Sequence, residues 1–232
     1  MPQAAFVLHR RDYQETSLLV DLITEQEGRL RVIAKGAKRA KSSWRAILQA
    51  FTPLTVDFVG RSDLKTLTLA EATDVPFPLT SKRLYSGFYI NELLQRLLPL
   101  EDDASEIFCA YQLVLQQLSS QRDIESLLRW FEWQLLRQLG ATFDWLHDAE
   151  SGQPLQPDGV SYFDPESGFV QNQRNTWVTA WPSDIIMSLG QIDLLQDDLN
   201  PEQRKACKLI MREALAIHLG NKPLRSRELF RR

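Results

Sequence analysis

The hydrophobic period of the chain changes once, at Pro76 and Pro78, and that change separates what can fold as sheet from what can fold as helix. Before it, short runs rich in Val, Ile, Thr and Leu occupy residues 5–9, 17–24, 29–34, 54–59 and 64–69. Alternation along these runs gives each strand one face for a core. Turn sequences such as Glu27-Gly28 and Gly60-Arg-Ser-Asp63 separate them. Five strands in so short a span leave exposed edges unless they close, so a small barrel is expected over residues 1–80.

Beyond Pro78 the period is 3.6. Ser81 is placed to cap a helix through Leu98, whose stripe of Leu84, Tyr85, Phe88, Tyr89, Leu93, Leu94 and Leu97 stops at Pro99. Asp103 and Glu106 read as a capping box for a second helix, and Asp123 opens a third that stops at Gly140. Asn200, Pro201 and Gly220 bound the last long helix, and a weaker one is expected from Ser183 to about Leu195. Residues 147–182 interrupt this pattern with turn residues. Within them, 160–163 and 168–170 suit the strands of a hairpin. The expected class is therefore α+β: a barrel over 1–80, then an α-helical domain over 81–232 carrying an insertion at about 147–182.

The rest of the inventory points away from catalysis. Neither phosphate-binding nor nucleophile-elbow motifs occur, and His9, His147 and His218 are scattered without metal-ligand spacing. The acid runs Glu101-Asp102-Asp103 and Asp197-Asp198 lie beside helix starts, where carboxylates favour the helix dipole. Cys109 and Cys207 fall in helical apolar patterns and are expected as buried free thiols. No apolar run approaches the roughly 20 residues that span a bilayer, and Met-Pro-Gln-Ala-Ala-Phe is no secretory leader. A soluble cytoplasmic protein that binds without turnover, and needs no cofactor or metal, is expected.

Charge indicates what is bound. The formal net charge is −3, yet residues 29–56 hold seven lysines and arginines and no acid, five of them between Lys35 and Arg45. Basic residues outnumber acidic ones nine to five over 1–45 and nine to two over 204–232, whereas 46–203 has nine against 23. Such segregation favours a polyanionic partner, because association responds to local potential; solvated surface is the plainer reading. Arg29 and Arg31 alternate with core residues and are expected to offer their guanidiniums to solvent. With Lys35, Lys38, Arg39, Lys41 and Arg45 they form a candidate groove for a nucleic-acid backbone. Gly36 and Ser42-Ser43 suit a flexible loop, and Trp44 is placed either to stack on a base or to pack on the barrel.

Ordered segments along nearly the whole chain resemble the RecO family of bacterial recombination mediators. They include Ala5-Phe-Val-Leu-His9, Glu15-Thr-Ser-Leu18, Gly28-Arg-Leu30, Ala34-Lys-Gly-Ala37, Phe51-Thr-Pro-Leu54, Leu84-Tyr-Ser-Gly87, Tyr89-Ile-Asn-Glu-Leu-Leu94 and Gly220-Asn-Lys-Pro-Leu-Arg-Ser-Arg-Glu-Leu-Phe230. The resemblance implies an OB-fold and a helical domain, and binding of single- and double-stranded DNA with annealing of complementary strands. As partners it implies RecR and the acidic C-terminal tail of the single-strand-binding protein SSB, with a functional link to RecA, and a cytoplasmic, nucleoid-associated location. Many relatives hold zinc with four cysteines before the last helices. Residues 147–182 contain none, so zinc is expected to be absent and Tyr162, Phe163, Phe169, Trp177 and Trp181 to pack the segment.

Two further candidate sites follow. Lys222, Arg225 and Arg227 belong to a second basic block, Arg204 to Arg232, that is suited either to a second strand or duplex or to a helix C-terminus and tail. An SSB tail is acidic with an apolar end, and Arg129, Trp130, Trp133 and Arg137 are the candidate receptor, although the tryptophans also suit helix packing. The competing functional class is an adaptor that docks on acidic tails with only incidental DNA contact.

Overall fold

The computed structural model describes residues 1–172 and 179–230, so Trp177 lies outside the described residues. Five strands, β1 (Gln3–Tyr13), β2 (Ser17–Thr24), β3 (Gly28–Ala34), β4 (Leu54–Val59) and β5 (Leu64–Ala72), form a closed barrel in the order β1-β2-β3-β5-β4. Pairing of Gln3–Ala5 with Leu54–Val56 closes it, and the β3–β5 pair alone is parallel. This is the expected OB-fold barrel. A four-residue helix, α1 (Trp44–Ile47), lies between β3 and β4. Helices α2 (Ser81–Leu97), α3 (Ser105–Leu118) and α4 (Ile124–Gln138) follow. Next come short strands β6 (Val160–Asp164), β7 (Gly168–Val170) and β8 (Ala180–Pro182), and helices α5 (Ser183–Gln191), α6 (Pro201–Leu219) and α7 (Ser226–Leu229).

The described chain divides into two compact units, Met1–Arg122 with Pro223–Arg232, and Asp123–Lys222. In the first, alternate residues fill the barrel: Leu18, Val20 and Leu22 from β2, Leu30, Val32 and Ala34 from β3, Leu54 and Val56 from β4. The other face of β2 is buried as well, because α2 packs on β1 and α3 on β2. Phe6 on that outer face meets the rings of Phe108 and Tyr111 at centroid distances of 5.7 and 5.2 Å.

The register of β1 shifts between Val7 and His9, and the carbonyls there meet a side-chain donor. Asn91 of α2 supplies one, its side-chain amide donating to the Leu8 carbonyl at 3.1 Å while its own oxygen accepts from the Tyr111 hydroxyl at 2.7 Å. The neighbouring Glu92 accepts from the amides of Arg225 and Ser226 and from the Ser226 hydroxyl, holding α7 against α2. Gly28 has φ +63°, and a Cβ there would collide with the Asp102 carbonyl, which accounts for glycine at this turn.

Helix starts differ in detail from the sequence expectations. Thr80, one residue before Ser81, occupies the N-cap of α2, and no side chain caps it. Ala104 rather than Asp103 is the N-cap of α3; Asp103 accepts from Ser105 N while its own amide donates to the Asp102 carboxylate. α5 stops at Gln191, short of Leu195. Asp123 and Asn200 do cap their helices, the latter in a capping box with Gln203. Cys109 is exposed rather than buried, because it shares the outer stripe of α3 with Ser105, Glu106 and Gln112; Cys207 is buried. Burial pushes the Cys207 thiol up to about 12.

In the second unit, β7-β6-β8 form a three-stranded sheet covered by rings. Phe163, Phe169 and Trp181 are buried, as expected, but Tyr162 is only half-buried. Phe143, which the sequence reading passed over, sits at their centre, 4.7 Å from Phe163 and 5.6 Å from Phe169. Trp145 joins at 5.5 Å from Phe169. Asp148 spends one oxygen on Glu150 N, Ser151 N and the Ser151 hydroxyl and the other on Gln171 N. Asp148 is thereby committed to its loop, and among the described residues no group of three His, Cys, Asp or Glu converges.

Asp123 accepts from Ser126 N and from Arg204 at 2.8 and 2.7 Å. Burial pushes its carboxyl up, but these bonds outweigh it and hold the carboxyl below the usual range. A depressed folded value means that stabilisation is full above the unfolded value of about 3.9 and is lost as pH falls through the folded value. The difference in urea midpoint between the parent and Asp123→Ala is therefore expected to be constant near neutrality and to shrink below about pH 4.

Candidate nucleic-acid interface

Past Ala5, β1 is bonded along its length to β2 and, at Val7, bridged to Ala50; residues 9–13 thus form the outer strand of an arm whose inner strand, 17–21, pairs on its other side with β3. The basic segment folds back on this arm: Lys38 N donates to the Thr16 carbonyl at 2.9 Å, and Lys38 Nζ meets Asp12 at 2.7 Å. Successive turns follow, with Arg39 N bonded to the Gly36 carbonyl, Ser42 N to Arg39 and Ala46 N to Ser43. The expected flexible loop is thus a string of hydrogen-bonded turns. Lys35, Arg39, Lys41 and Arg45 project from it, exposed.

Two arginines that the sequence reading did not single out complete this surface. Arg10 and Arg11 stand on the arm and, with Asp12, Lys38 and Arg45, line a cleft of about 340 Å³ floored by Leu18 and Ala37. Arg10 Nη1 donates to the Arg45 carbonyl at 3.4 Å. Trp44 is partly buried and, with Ile47, packs against the barrel core.

The barrel withdraws the other two arginines. Asp21 lies directly across the ladder from Arg31 and accepts from its Nε at 3.2 Å. Arg29, 9 % exposed, donates to the Leu98 carbonyl at 2.6 Å and lies 3.6 Å from the same aspartate. Burial draws the Arg29 guanidinium below its ordinary value against the pull of Asp21. Arg29 is therefore an interior residue, contrary to the expected solvent-facing pair, and Arg31 is half-buried and committed to Asp21.

The second basic block is divided. Lys222 closes one compact unit while Arg225 and Arg227 belong to the other. Lys222 and Arg225 are exposed and Arg227 half-buried. Further up α6, Arg204 and Lys208 face Asp123 and Glu125.

In the second unit, α4 places Arg129 inward, 6 % exposed and 2.6 Å from Glu132, so it is no rim cation. Trp133 and Arg137, one and two turns on and rotated progressively toward solvent, line an open groove of about 610 Å³ with Phe143, Asp144, Trp145 and Leu146. Trp130 is half-buried and does not line that groove. No described helix is long and apolar enough to cross a membrane.

Family comparison agrees along the chain. The model described as "Recombination protein O N terminal" matches residues 1–76, and "Recombination protein O C terminal" matches 79–228. The chain is 52% identical over 233 residues to the DNA repair protein RecO of Idiomarina loihiensis, covering 100% of this chain and 98% of that one. The chain belongs to the RecO family of DNA repair proteins. Other RecO relatives are those of Haemophilus influenzae strain 86-028NP, 46% identical, and Aliivibrio salmonicida, 39% identical, each over 98% of this chain and 94% of theirs. The RecO N-terminal match contains the complete barrel with its basic cleft, and the C-terminal match starts where the hydrophobic period changes.

Proposed function

We propose that the chain is a recombination mediator that binds single- and double-stranded DNA without sequence selection and anneals complementary strands. With RecR it helps load RecA onto strands covered by SSB. The observation that carries this reading is the convergence of Arg10, Arg11, Lys38 and Arg45 on one cleft, flanked by exposed Lys35, Arg39 and Lys41, in a RecO-family barrel. Point charges on lysine and arginine grip phosphates at any sequence, because phosphate contacts position a strand and base edges specify it. Annealing needs no bond chemistry: the cations screen two like-charged strands while the bases stay free to pair.

Tail docking is supported by the second unit. Its groove offers Trp133, Phe143 and Trp145 to an apolar end and Arg137 to a carboxylate. Of the four residues expected there from sequence, Trp133 and Arg137 remain in this proposal as direct contacts. Arg137→Glu is expected to weaken binding of an acidic, apolar-ended SSB tail peptide by about tenfold, or about 1.4 kcal/mol. Fluorescence anisotropy of the labelled peptide checks it, and unchanged affinity rejects the groove.

Strand annealing on bare and on SSB-coated DNA tests the reading as a whole. A variant of the basic segment should fail on both substrates, whereas Arg137→Glu should fail only on coated DNA. If the parent protein docks the tail yet neither binds nor anneals bare strands, the adaptor reading replaces this one.

A further inference from the structure

We propose that the cleft between the β1–β2 arm and the basic segment is a seat for backbone phosphate, and that Asp12 is its resident competitor. This deepens the DNA-binding reading and rests on it. Four cations, Arg10, Arg11, Lys38 and Arg45, line about 340 Å³ together with one carboxylate. That carboxylate is not remote from the cations: Asp12 Oδ2 lies 2.7 Å from Lys38 Nζ. It offers the ammonium the same chemistry as a phosphate oxygen, an anionic acceptor at hydrogen-bond distance.

The position of Lys38 makes the exchange simple. Its backbone is pinned by the bond from its amide to Thr16, so the residue stays at the cleft whichever anion its side chain meets. Asp12, with a side chain 75 % exposed, can release Lys38 into solvent without leaving a buried charge behind. An arriving phosphodiester displaces the carboxylate from Lys38 and takes its place among the arginines. When the strand leaves, Asp12 closes the ammonium again. The competitor lowers the grip on any one phosphate, which suits a protein whose strands must be handed over rather than stored.

Asp12→Asn is expected to raise affinity for an unphosphorylated oligothymidylate about two- to fivefold and to steepen the salt dependence by up to about 0.7 in slope, one further phosphate's worth. Glu15→Gln is the control, since it removes the same charge from an exposed position in the turn of the same arm. In a Lys38→Ala background the gain from Asp12→Asn should largely disappear. A 5′-phosphorylated oligonucleotide is expected to behave like the unphosphorylated one; a gain confined to the phosphorylated strand would assign the cleft to a terminal phosphate and overturn the proposal. If the parent binds the oligonucleotide and Asp12→Asn matches Glu15→Gln, the competitor falls while DNA binding stands. If the parent does not bind at all, both fall. Asp12→Ser replaces Asp12→Asn should the latter melt below the parent.

Discussion

Replacing Lys35, Lys38, Arg39 and Lys41 together by alanine lowers affinity for single-stranded DNA by between about ten- and five-hundredfold in ~0.1 M salt, as an expected result. Each phosphate contact on a single strand contributes about 0.7 to the slope of log affinity against log salt, so losing four of them removes up to about 2.8. All four side chains leave a segment whose fold is set by backbone turns and by Ala37 and Leu48 in the barrel core, so the variant keeps its core intact. Two measurements decide the matter together: titrations across a salt series and a melting curve. An unchanged slope in a protein that melts like the parent would remove this surface from the DNA path.

The second large effect concerns stability. Asn91→Ala is expected to cost about 3 kcal/mol, because it strands both the Leu8 carbonyl and the Tyr111 hydroxyl in the interior, each at about 1–3 kcal/mol. Asn91 and Tyr111 are both buried. Burial also pushes the Tyr111 phenol well above its ordinary value, with the bond to Asn91 pulling the other way, so the hydroxyl remains a donor. Tyr111→Phe alone should cost about 1–2 kcal/mol, and the double variant less than the sum, since the second substitution removes a group already stranded by the first. Urea unfolding of the three variants reads this out. Additive losses would mean that the two side chains do not act as one bonded pair.

The sequence made the barrel legible where one strand face meets the core, as in Leu18, Val20 and Leu22, because period two needs no knowledge of partners. What depended on partners stayed hidden. Nothing near Arg29 in the chain reveals that β2 places Asp21 beside it or that Leu98 offers a carbonyl; register and tertiary packing do that. Arg10 and Arg11 stand next to Asp12 and Glu15, so a charge count dilutes them, and only the fold of the 35–45 segment against the arm raises them to a site. On α4 the error was one of helical phase: Arg129 and Arg137 are both arginines beside tryptophans, but one points at Glu132 in the core and the other at the groove. Phe143 and Trp145 lie in a segment without regular structure, where no periodicity marks a buried ring.

The bonds from Arg225 and Ser226 to Glu92 carry a consequence for biosynthesis. The barrel-bearing unit is interrupted by the whole of Asp123–Lys222 and completed by residues from Pro223 onward. During translation Glu92 emerges long before its partners, so that carboxylate stays hydrated until the rest of the first unit's leading segment and the whole of Asp123–Lys222 have left the ribosome. The final latch of the unit therefore closes after the second unit has been made, and a nascent chain stalled before Pro223 presents α2 without the helix that covers it.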